Sequence, residues 1–378
     1  GKGSISSFIA EILSQAGYTV GRYVSPAVTG YCEKIQFVSC EGTEYISKES
    51  ASQYITSIKK ITEAQNFCPT EFEIETLMSL LSFRDREVDY VILECGMGGM
   101  YDATNAVSHK EMCVFVPIDY DHMRYLGNTI AEITKDKSGI MVPGCKVVSA
   151  AQCGEARKVL DSAAKDNSTK VVYTGDVYKC TYSLDGTVFE YKGKKYETSL
   201  AGIYQPQNAA VGIEAATLLL EDINYDVIKK AVKKTKWPGR FEIISRKPFV
   251  IYDGAHNPAG VRKLTESVDM LIDREEYVRI GIMGAYADKD IRGMAGYLSG
   301  KFDEIHTVTA EGPRAGMAED LAAVIDGECN LTAIPHPDMM PAQVISELEV
   351  RRKTEGAVSD KKYVYIVFGT LSLYGHFE

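Results

Sequence analysis

Helical and strand-like patterns alternate along most of this 378-residue chain, and no other feature constrains its fold as strongly. Apolar residues at helical spacing between Ser4 and Gly17 predict an amphipathic helix that ends at the glycine. The stretch VDYVILECG is a nearly continuous apolar run, which is typical of a central parallel strand covered on both faces. MCVFVPIDYDH and KVVSAA predict two more such strands, and EFEIETLMSLLSFRD predicts a second helix. This alternation favours an α/β fold with mostly parallel sheets.

The pattern changes between Val171 and Leu200, where apolar and polar residues alternate around Asp-Gly and Lys-Gly turns. This stretch predicts antiparallel hairpins. Further on, KKTKWPGRFEIISRKP combines a Pro-Gly break with several cations and is the best candidate for a domain boundary. Four apolar strands separated by helical stretches follow it and predict a smaller α/β domain, namely FVIYDGAHN, YVRIGIMGA, EIHTVTA and YVYIVFGTLSL. We therefore expect one domain over residues 1–243 and a second over 244–378.

The charge and cysteine content exclude several classes of protein. A net charge of −10 without any basic block argues against nucleic acid as the main partner, since Lys and Arg must neutralise phosphates. The nine cysteines are scattered singly and include no CxxC pair, which favours reduced thiols and a cytoplasmic location. No apolar run is long and pure enough to predict a membrane span.

The chain opens with Gly1, Lys2, Gly3 and Ser4, directly ahead of the first predicted helix. In P-loops, consecutive backbone amides and a helix N-terminus hold phosphate oxygens, while the lysine reaches the β- and γ-phosphates. A Gly-Lys-Gly-Ser turn before a helix can equally be a plain cap. From these four residues alone, a nucleotide site and a structural turn both stay open.

A second candidate is ECGMGGMYDATN, in which Glu94 ends a predicted buried strand and three glycines follow. Ligands of parallel sheets bind beyond the carboxyl ends of the strands, and carboxylate oxygens suit a divalent cation. The alternative is a loop glutamate beside turn glycines.

A third candidate is DYDHMRYLGNTIAEITKDKSGI, in which His122 closes the next apolar strand and Lys137 lies fifteen residues later. A histidine at a strand end is more often structural than a ligand. Its expected position one strand from Glu94, at the same sheet edge, favours a shared site. Taken alone, Lys137 would be a solvated surface charge.

Three polar residues lie around the expected domain boundary, namely Asn208, Arg240 and Asp253. An arginine can bridge phosphates, and an aspartate can accept ribose hydroxyls. Each also has a simpler interpretation, as a helix cap, a linker charge or a turn residue.

Together these stretches resemble the folylpolyglutamate synthase and dihydrofolate synthase family of the Mur ligase superfamily. The resemblance runs in order through almost the whole chain. It rests on GKGS, Ser25-Pro26, TEFE at Thr70 to Glu73, ECGMGGMYDATN, DHMRYLGNTIAEITKDKSGI, QPQNAA, WPGR, DGAHNP and ADKD at Ala287 to Asp290. The DATN element and the spacing of DH, LGNT and KxGI are similar to the folate branch rather than to the muramyl-peptide ligases.

The resemblance implies roles for individual residues. ATP contacts would come from Gly1, Lys2, Gly3, Ser4, Asn208, Arg240, Asp253 and His256. Magnesium ligands and catalytic groups would be Ser25, Glu94, His122 and Lys137, of which Lys137 matches the family lysine that CO2 carbamylates. Pterin or folate contacts would fall on Thr70, Phe72, Glu73, Tyr101, Asp102 and Ala103.

The resemblance also implies a fold and a reaction. A P-loop-type N-terminal domain and a Rossmann-like C-terminal domain would hold ATP between them. With ATP and two Mg2+ ions, a folate carboxylate would become an acyl phosphate, which the amino group of L-glutamate attacks to give an amide, ADP and phosphate. Cations would offset the repulsion between the two anionic substrates. The family is commonly monomeric, and only small-molecule substrates are expected as partners.

Some positions depart from the family pattern. The strand and glycines that normally precede a P-loop lysine are missing, so we expect this sequence to be part of a longer protein. Met100 stands where an arginine is usual, and Ala27 stands where a histidine often follows Ser-Pro. Lys34 replaces a usual arginine, and Ser138 replaces a usual alanine. These changes bear on the acceptor substrate more than on the reaction type.

Three functions follow from the sequence. The first is an ATP- and Mg2+-dependent ligase that adds glutamate to a folate, to dihydropteroate, or to both. The alternatives are a related ligase with another acceptor and a catalytically silent folate-binding relative, which the incomplete P-loop would favour. A generic P-loop kinase would leave the second α/β domain and its DGAHNP element unexplained.

Overall fold

The computed structural model describes residues 1–329, 331–355 and 361–377. The chain divides into two compact units. The first unit comprises Gly1–Cys180, Val188–Ser199 and Gln205–Lys236. The second comprises Thr181–Thr187, Leu200–Tyr204 and the chain from Trp237 onward.

Helices and short strands alternate in the first unit, as the sequence predicts. Its helices are α1 Lys2–Gln15, α2 Lys48–Ala64, α3 Glu71–Asp85, α4 Met123–Leu126, α5 Ile130–Ser138, α6 Gly154–Asp166, α7 Gln205–Leu219 and α8 Tyr225–Lys234. Its first seven strands are β1 Val20–Tyr23, β2 Ile35–Ser39, β3 Gly42–Tyr45, β4 Tyr90–Leu93, β5 Met112–Phe115, β6 Lys146–Ser149 and β7 Val171–Tyr173. A separate three-stranded sheet in the order β10-β9-β8 follows, built from β8 Tyr178–Ser183, β9 Gly186–Tyr191 and β10 Lys194–Thr198.

The seven strands form two sheets, in the orders β3-β2-β1-β4 and β5-β6-β7. β4 pairs in parallel with β1, and β5 pairs in parallel with β6. The prediction that VDYVILECG is a central strand covered on both faces is therefore wrong for the described chain, because β4 is an edge strand and Val91 is 44% exposed. The expectation that Glu94 and His122 lie one strand apart in one sheet is wrong for the same reason. An apolar run indicates burial but does not specify which strands become neighbours.

A cleft of about 910 Å³ is lined by both free strand edges, β4 and β5. The amides of Tyr90 and Glu94 donate to main-chain oxygens of Thr19 and Tyr23, on the side of β1. Because backbone groups alternate along a strand, those of Val91 and Leu93 face the cleft. Apolar side chains of α1 line the same cleft. Within the described chain, its walls therefore combine two unpaired backbone edges with apolar surface, which is the environment that a β-strand requires.

Helix α1 packs into the core of the first unit through its apolar face. Ile5, Ile9 and Leu13 are each 5% exposed or less and lie in one apolar cluster with residues of β1, β2, β6 and α7. Residues at i, i+4 and i+8 share one side of a helix, so this cluster fixes how α1 is rotated. The N-terminus of α1 is thereby held at the carboxyl end of β4, where Lys2 contacts the following loop.

The second unit contains one six-stranded sheet in the order β11-β12-β16-β13-β14-β15. All its strands are parallel except β11, which is antiparallel to β12. The strands are β11 Glu242–Arg246, β12 Phe249–Asp253, β13 Tyr277–Met283, β14 Glu304–Val308, β15 Ala333–His336 and β16 Lys362–Phe368. The helices are α9 Pro258–Leu271, α10 Ile291–Ala295, α11 Ala318–Glu328 and α12 Pro341–Glu355. This arrangement confirms the predicted α/β fold class.

The core of the second unit consists of apolar side chains from its central strands and helices. Ile251, Met283 and Ile366 come from three neighbouring strands and are each 0% exposed. Strands β11 and β15 were not among the four strands that the sequence predicts, and β15 has only four residues. Within the described part of the chain, no helix combines the length and apolarity that crossing a membrane requires.

Candidate active site

Lys2 is the first residue of α1 and lies beside the loop that follows β4. Its Nζ atom donates hydrogen bonds to the carbonyl oxygens of Cys95 at 2.7 Å and Gly96 at 3.2 Å. Gly1 occupies the N-cap position, and a glycine has no side chain of its own with which to cap the helix. The helix N-terminus carries a partial positive charge, and Lys2 adds a full one. This end of the first unit is therefore suited to an anion.

Glu94 follows β4 directly and is 9% exposed. The next loop is held close to its surroundings, since a Cβ atom on Gly96 would lie 2.8 Å from the ring of Phe72. A Cβ on Gly99 would lie 2.6 Å from the main-chain oxygen of Lys137. The glycines therefore allow residues 95–99, which we call the glycine loop, to pack directly against α3 and α5.

Lys137 lies in the last turn of α5 and is partly buried, so it is not a solvated surface charge. Burial lowers the pKa of its amine, and the positive charge of Lys2 lowers it further. Asp121, Cys95 and Asp136 act in the opposite direction. Lys2, Cys95 and Lys137 line the same cleft, although the two lysines are far apart in sequence.

His122 precedes α4 in the left-handed conformation, with φ of 51°. Its Nε2 atom lies 3.8 Å from Oδ1 of Asp121. Ser25 follows β1, the parallel neighbour of β4, so Ser25 and Glu94 both lie just beyond the carboxyl ends of adjacent strands. The described residues include no group of three or more His, Cys, Asp or Glu side chains that could hold a metal ion. Any metal site here would need the Ser25 hydroxyl or a modified Lys137 as additional ligands.

Two of the predicted folate contacts form a helix cap. Thr70 Oγ1 accepts a hydrogen bond from the amide of Glu73, and Glu73 Oε2 accepts one from the amide of Thr70, at 3.3 and 2.7 Å. This capping box explains why α3 begins at Glu71. The hydrogen bonds also lower the pKa of Glu73. The TEFE motif therefore has a structural role that needs no ligand.

Phe72 lies in the first turn of α3, and the other three predicted folate contacts, Tyr101, Asp102 and Ala103, lie in the turn after the glycine loop. Tyr101 is 89% exposed. Asp102 accepts hydrogen bonds from the amides of Met97 and Thr104, both at 3.0 Å, which holds the turn that contains Ala103 in place. An exposed aromatic ring beside an ordered turn is a suitable contact surface for a planar ligand.

Asn208 lies in the first turns of α7, next to the N-terminus of the chain. A Cβ on Gly1 would lie 3.1 Å from Oδ1 of Asn208. Nδ2 of Asn208 donates to Gln205 at 3.1 Å, and both side chains are buried. Ser4 and Gly3 are buried within α1. The structure thus brings Asn208 to the same place as the Gly1–Ser4 turn.

Arg240, Asp253 and His256 belong to the second unit. Asp253 ends β12, is 3% exposed, and accepts hydrogen bonds from the hydroxyl of Tyr204 at 2.6 Å and from the amides of Phe241 and Ala255 at 2.9 and 2.8 Å. Burial raises the pKa of Asp253, and the charge of Arg240 partly offsets this. Nδ1 of His256 lies 2.8 Å from the oxygen of Gly254. Asp253 thus organises the backbone around Arg240.

The structure adds one acidic residue that the sequence analysis missed, Asp136. Its Oδ1 atom is buried and accepts no hydrogen bond from the described part of the chain. It faces the glycine loop, since a Cβ on Gly98 would lie 2.3 Å from it. In the sequence, only its position directly before Lys137 suggests a functional role for Asp136. The charged residues around it in TKDKSG make that role hard to recognise.

Comparisons with known proteins agree with this geometry. The sequence model of the Mur ligase middle domain matches residues 1–216. The model described as Mur ligase, glutamate ligase domain, matches residues 239–354.

Two curated relatives are similar over most of the chain. Dihydrofolate synthase/folylpolyglutamate synthase of Bacillus subtilis is 36% identical over 339 residues, which cover 85% of this chain and 77% of the relative. Folylpolyglutamate synthase of Lacticaseibacillus casei is 32% identical over 337 residues, covering 83% and 76%.

Solved structures are also similar. Folylpolyglutamate synthase of Mycobacterium tuberculosis, complexed with ADP and AMPPCP, superposes with a TM-score of 0.89 at 24% identity, covering 99% of this chain and 87% of that one, and supports the fold alone. FolC of Escherichia coli in complex with DHPP and ADP gives a TM-score of 0.83 at 25% identity, covering 100% and 85%.

Proposed function

Because the chain belongs to the folylpolyglutamate synthase and dihydrofolate synthase family of the Mur ligases, we infer that it is an ATP-dependent ligase that joins L-glutamate to a folate, to dihydropteroate, or to both. One observation supports a particular location for the reaction. Lys2 binds the main chain next to Glu94 and couples electrostatically to Lys137. The first turn of α1, a buried carboxylate and an amine of lowered pKa therefore lie at the carboxyl end of β4.

The residues at this end of β4 match the electrostatic demands of the reaction. A folate carboxylate must approach the γ-phosphate of ATP, and both groups are anionic. We propose that Lys2 and the N-terminus of α1 hold the phosphates and stabilise the charge that develops during transfer. The carboxylate oxygen attacks the γ-phosphorus and ADP leaves. The glutamate amine then attacks the acyl carbon, phosphate leaves, and a proton is released.

A serine hydroxyl, a glutamate carboxylate and a lysine carbamate would each offer magnesium an oxygen ligand. We propose that Ser25, Glu94, His122 and a carbamylated Lys137 would hold it, and that the bound metal would reduce the repulsion between the two anionic substrates. Carbamylation requires a neutral amine. Burial and the nearby charge of Lys2 lower the pKa of Lys137, so the neutral form is easier to reach than at an exposed lysine. The carbamate would replace a cation with an oxygen ligand.

We propose that Arg240 and His256 contribute to ATP binding, with Asn208 beside the Gly1–Ser4 turn. Asp253 would act mainly by positioning the backbone around Arg240, because both of its oxygens already accept hydrogen bonds within the second unit. Phe72, Tyr101, Asp102 and Ala103 would form part of the acceptor site, with Thr70 and Glu73 fixing the start of α3 beneath it.

We propose further that full activity depends on a β-strand in the cleft between β4 and β5. Such a strand could pair with the free edges of both sheets and bury its side chains against α1. A segment joined to Gly1 would supply this strand and place additional backbone amides ahead of Lys2. The free strand edges and apolar walls of the cleft support this proposal, and extending the chain ahead of Gly1 tests it.

The test of the function compares the 378-residue chain with a form extended ahead of Gly1 by the upstream coding sequence. ADP release is measured with Mg2+, glutamate and either dihydropteroate or a reduced folate. Release that requires both glutamate and one acceptor would support the ligase and identify its acceptor. ATP binding without ADP release, with both acceptors and in the extended form, would contradict it and favour another acceptor or a silent folate-binding protein.

A further inference from the structure

A basic pocket of about 690 Å³ lies in the second unit, away from its predicted ATP contacts. Phe249, Tyr277 and Lys362 line it and are the first residues of β12, β13 and β16. These three strands are parallel neighbours, so the pocket lies at their amino ends. Asp253 lies at the opposite end of β12, roughly 13 Å away at about 3.3 Å per residue. The pocket is therefore distinct from the candidate active site.

The charge of this pocket opposes that of the whole chain. Among the described residues, its lining includes four cations, Arg246, Lys247, Lys353 and Lys362, and one carboxylate, Glu349. The chain as a whole carries a net charge of −10. A concentration of positive charge against an acidic background attracts small anions and favours their binding at this point.

The cations of the pocket are only partly neutralised by protein groups. Arg246 forms an ion pair with Asp185 at 2.6 Å, and Lys362 lies 4.0 Å from Glu276. Neither Lys247 nor Lys353 has an ion-pair partner in the part of the chain that the structure describes. These two lysines can therefore meet the charge of a ligand without breaking an existing pair.

Glu349 does not cancel the charge of the lysines, because other groups engage it. Its Oε1 atom accepts hydrogen bonds from the hydroxyl of Tyr365 at 2.6 Å and from Arg352 at 3.1 Å. The negative charge of Glu349 is therefore already balanced by the guanidinium of Arg352.

The pocket also presents aromatic surface. The rings of Phe249 and Tyr277 are in contact, with centroids 5.6 Å apart. Tyr363 is a third aromatic lining residue, and the guanidinium of Arg352 covers its ring at 3.5 Å. Aromatic side chains favour planar ligands through stacking or edge contacts, whereas a simple inorganic anion gains nothing from them.

We propose that this pocket is a second ligand site, which binds a planar aromatic or heteroaromatic ring carrying two or more acidic groups. Its volume lies within the range of small-molecule sites, roughly 300–1,000 Å³. Lys247 and Lys353 provide the charge contacts, and Phe249, Tyr277 and Tyr363 provide the ring contacts. The site is independent of the ligase reaction proposed above.

The test uses pyrenetetrasulfonate as the probe and isothermal titration calorimetry on the 378-residue chain. We expect saturable binding that weakens at least tenfold in the double variant Lys247→Glu/Lys353→Glu. The control double variant Lys59→Glu/Lys60→Glu, which changes the same charge at exposed positions of the first unit, should bind as the unchanged chain does. Circular dichroism melts of each variant establish that the fold is retained. Inorganic phosphate should compete poorly because it has no ring.

A further variant separates this pocket from the candidate active site. Lys2→Met should leave probe binding unchanged, whatever it does to ADP release. The proposal is overturned if no saturable binding occurs, if the Lys247/Lys353 variant binds as tightly as the control, or if Lys2→Met removes binding. Competition by inorganic phosphate at similar concentration would also overturn it, because it would show a site for simple anions.

Discussion

The Nζ atom of Lys2 lies 2.7 Å from the carbonyl oxygen of Cys95, although 93 positions separate the two residues in the chain. This hydrogen bond joins the first turn of α1 to the loop after β4. It holds the ammonium group next to Glu94 and explains why the amine of Lys137 has a neighbouring cation. The carbonyl oxygens of Cys95 and Gly96 thus fix the position of the ammonium group that we propose holds an anionic ligand.

Replacing Lys2 with methionine should therefore reduce catalysis without unfolding the protein. Lys2 is exposed, so its loss removes little packing. In the extended form we expect kcat/KM for ADP release to fall on the order of 100-fold, the usual scale for one preorganised donor at a developing charge. The exposed Lys59→Met is the matched control. Similar losses in both variants would exclude a specific role for Lys2.

Lys137 should carry a carbamate in the active protein. With 13C-labelled bicarbonate, we expect a carbamate carbon signal in NMR spectra that Lys137→Ala abolishes and that the exposed control Lys135→Ala retains. The reason is that burial and Lys2 favour the neutral amine at Lys137. Lys137→Ala should also abolish ADP release. Normal turnover in that variant, or an unchanged carbamate signal, would contradict the proposed role.

A side chain at position 99 should destabilise the protein, because the glycine loop packs on the main chain of α5. A Cβ there would lie 2.6 Å from the oxygen and 2.9 Å from the Cα of Lys137. Gly99→Ala should lower the free energy of unfolding by about 1–3 kcal/mol through overpacking and should displace the loop from Lys137. Urea unfolding and ADP release measure the two effects. Gly154→Ala is the control, since nothing lies within 4 Å of its added methyl; equal behaviour of the two variants would rule out this close packing.

Much of the local structure could be predicted from the sequence, for physical reasons that differ between elements. Helix α3 spans Glu71–Asp85, the predicted segment, because the Thr70–Glu73 capping box fixes its start. The four long apolar strands of the second unit were predicted because they are buried. Strand β15, Ala333–His336, produces no clear pattern because it has only four residues and one of them is a proline.

The pairing of strands and the meeting of distant residues could not be predicted in this way. Apolar runs predicted β4 and β5, but their positions at the edges of separate sheets depend on which backbones meet. The contact of Lys2 with Cys95 depends on how α1 is rotated by its buried face. The resemblance to a known family suggested the site residues, yet it gave no indication of the buried Asp136 beside Lys137.

The free energy of unfolding should decrease at acidic pH, because the native state keeps His336 neutral where the unfolded chain protonates it. Its pKa is lowered by burial and by His306, whose Nδ1 lies 2.9 Å from its Nε2. The unfolded chain takes up the proton near pH 6.5, before the native state does. Stability is therefore fully present above that pH and falls as the pH drops toward the native pKa.

Urea midpoints measured at several values from pH 7.5 to pH 5 test this relation. The midpoint of the unchanged chain should fall on acidification, and His336→Gln, which cannot titrate, should reduce the fall. His109→Gln, at a side chain that is 86% exposed, should leave the fall unchanged. A steeper decline in His336→Gln than in the unchanged chain would contradict the assigned direction.

Asp253 should contribute more to the stability of the second unit than its partner Tyr204. The aspartate accepts hydrogen bonds from the Tyr204 hydroxyl and from two buried amides, so Asp253→Asn leaves at least one donor without an acceptor. Each buried unsatisfied group costs about 1–3 kcal/mol. We expect Asp253→Asn to lower the free energy of unfolding by about 2–3 kcal/mol and Tyr204→Phe by about 1 kcal/mol, measured by urea unfolding. A loss of ATP affinity in Asp253→Asn at unchanged stability would contradict this positioning role and indicate direct contact with the nucleotide.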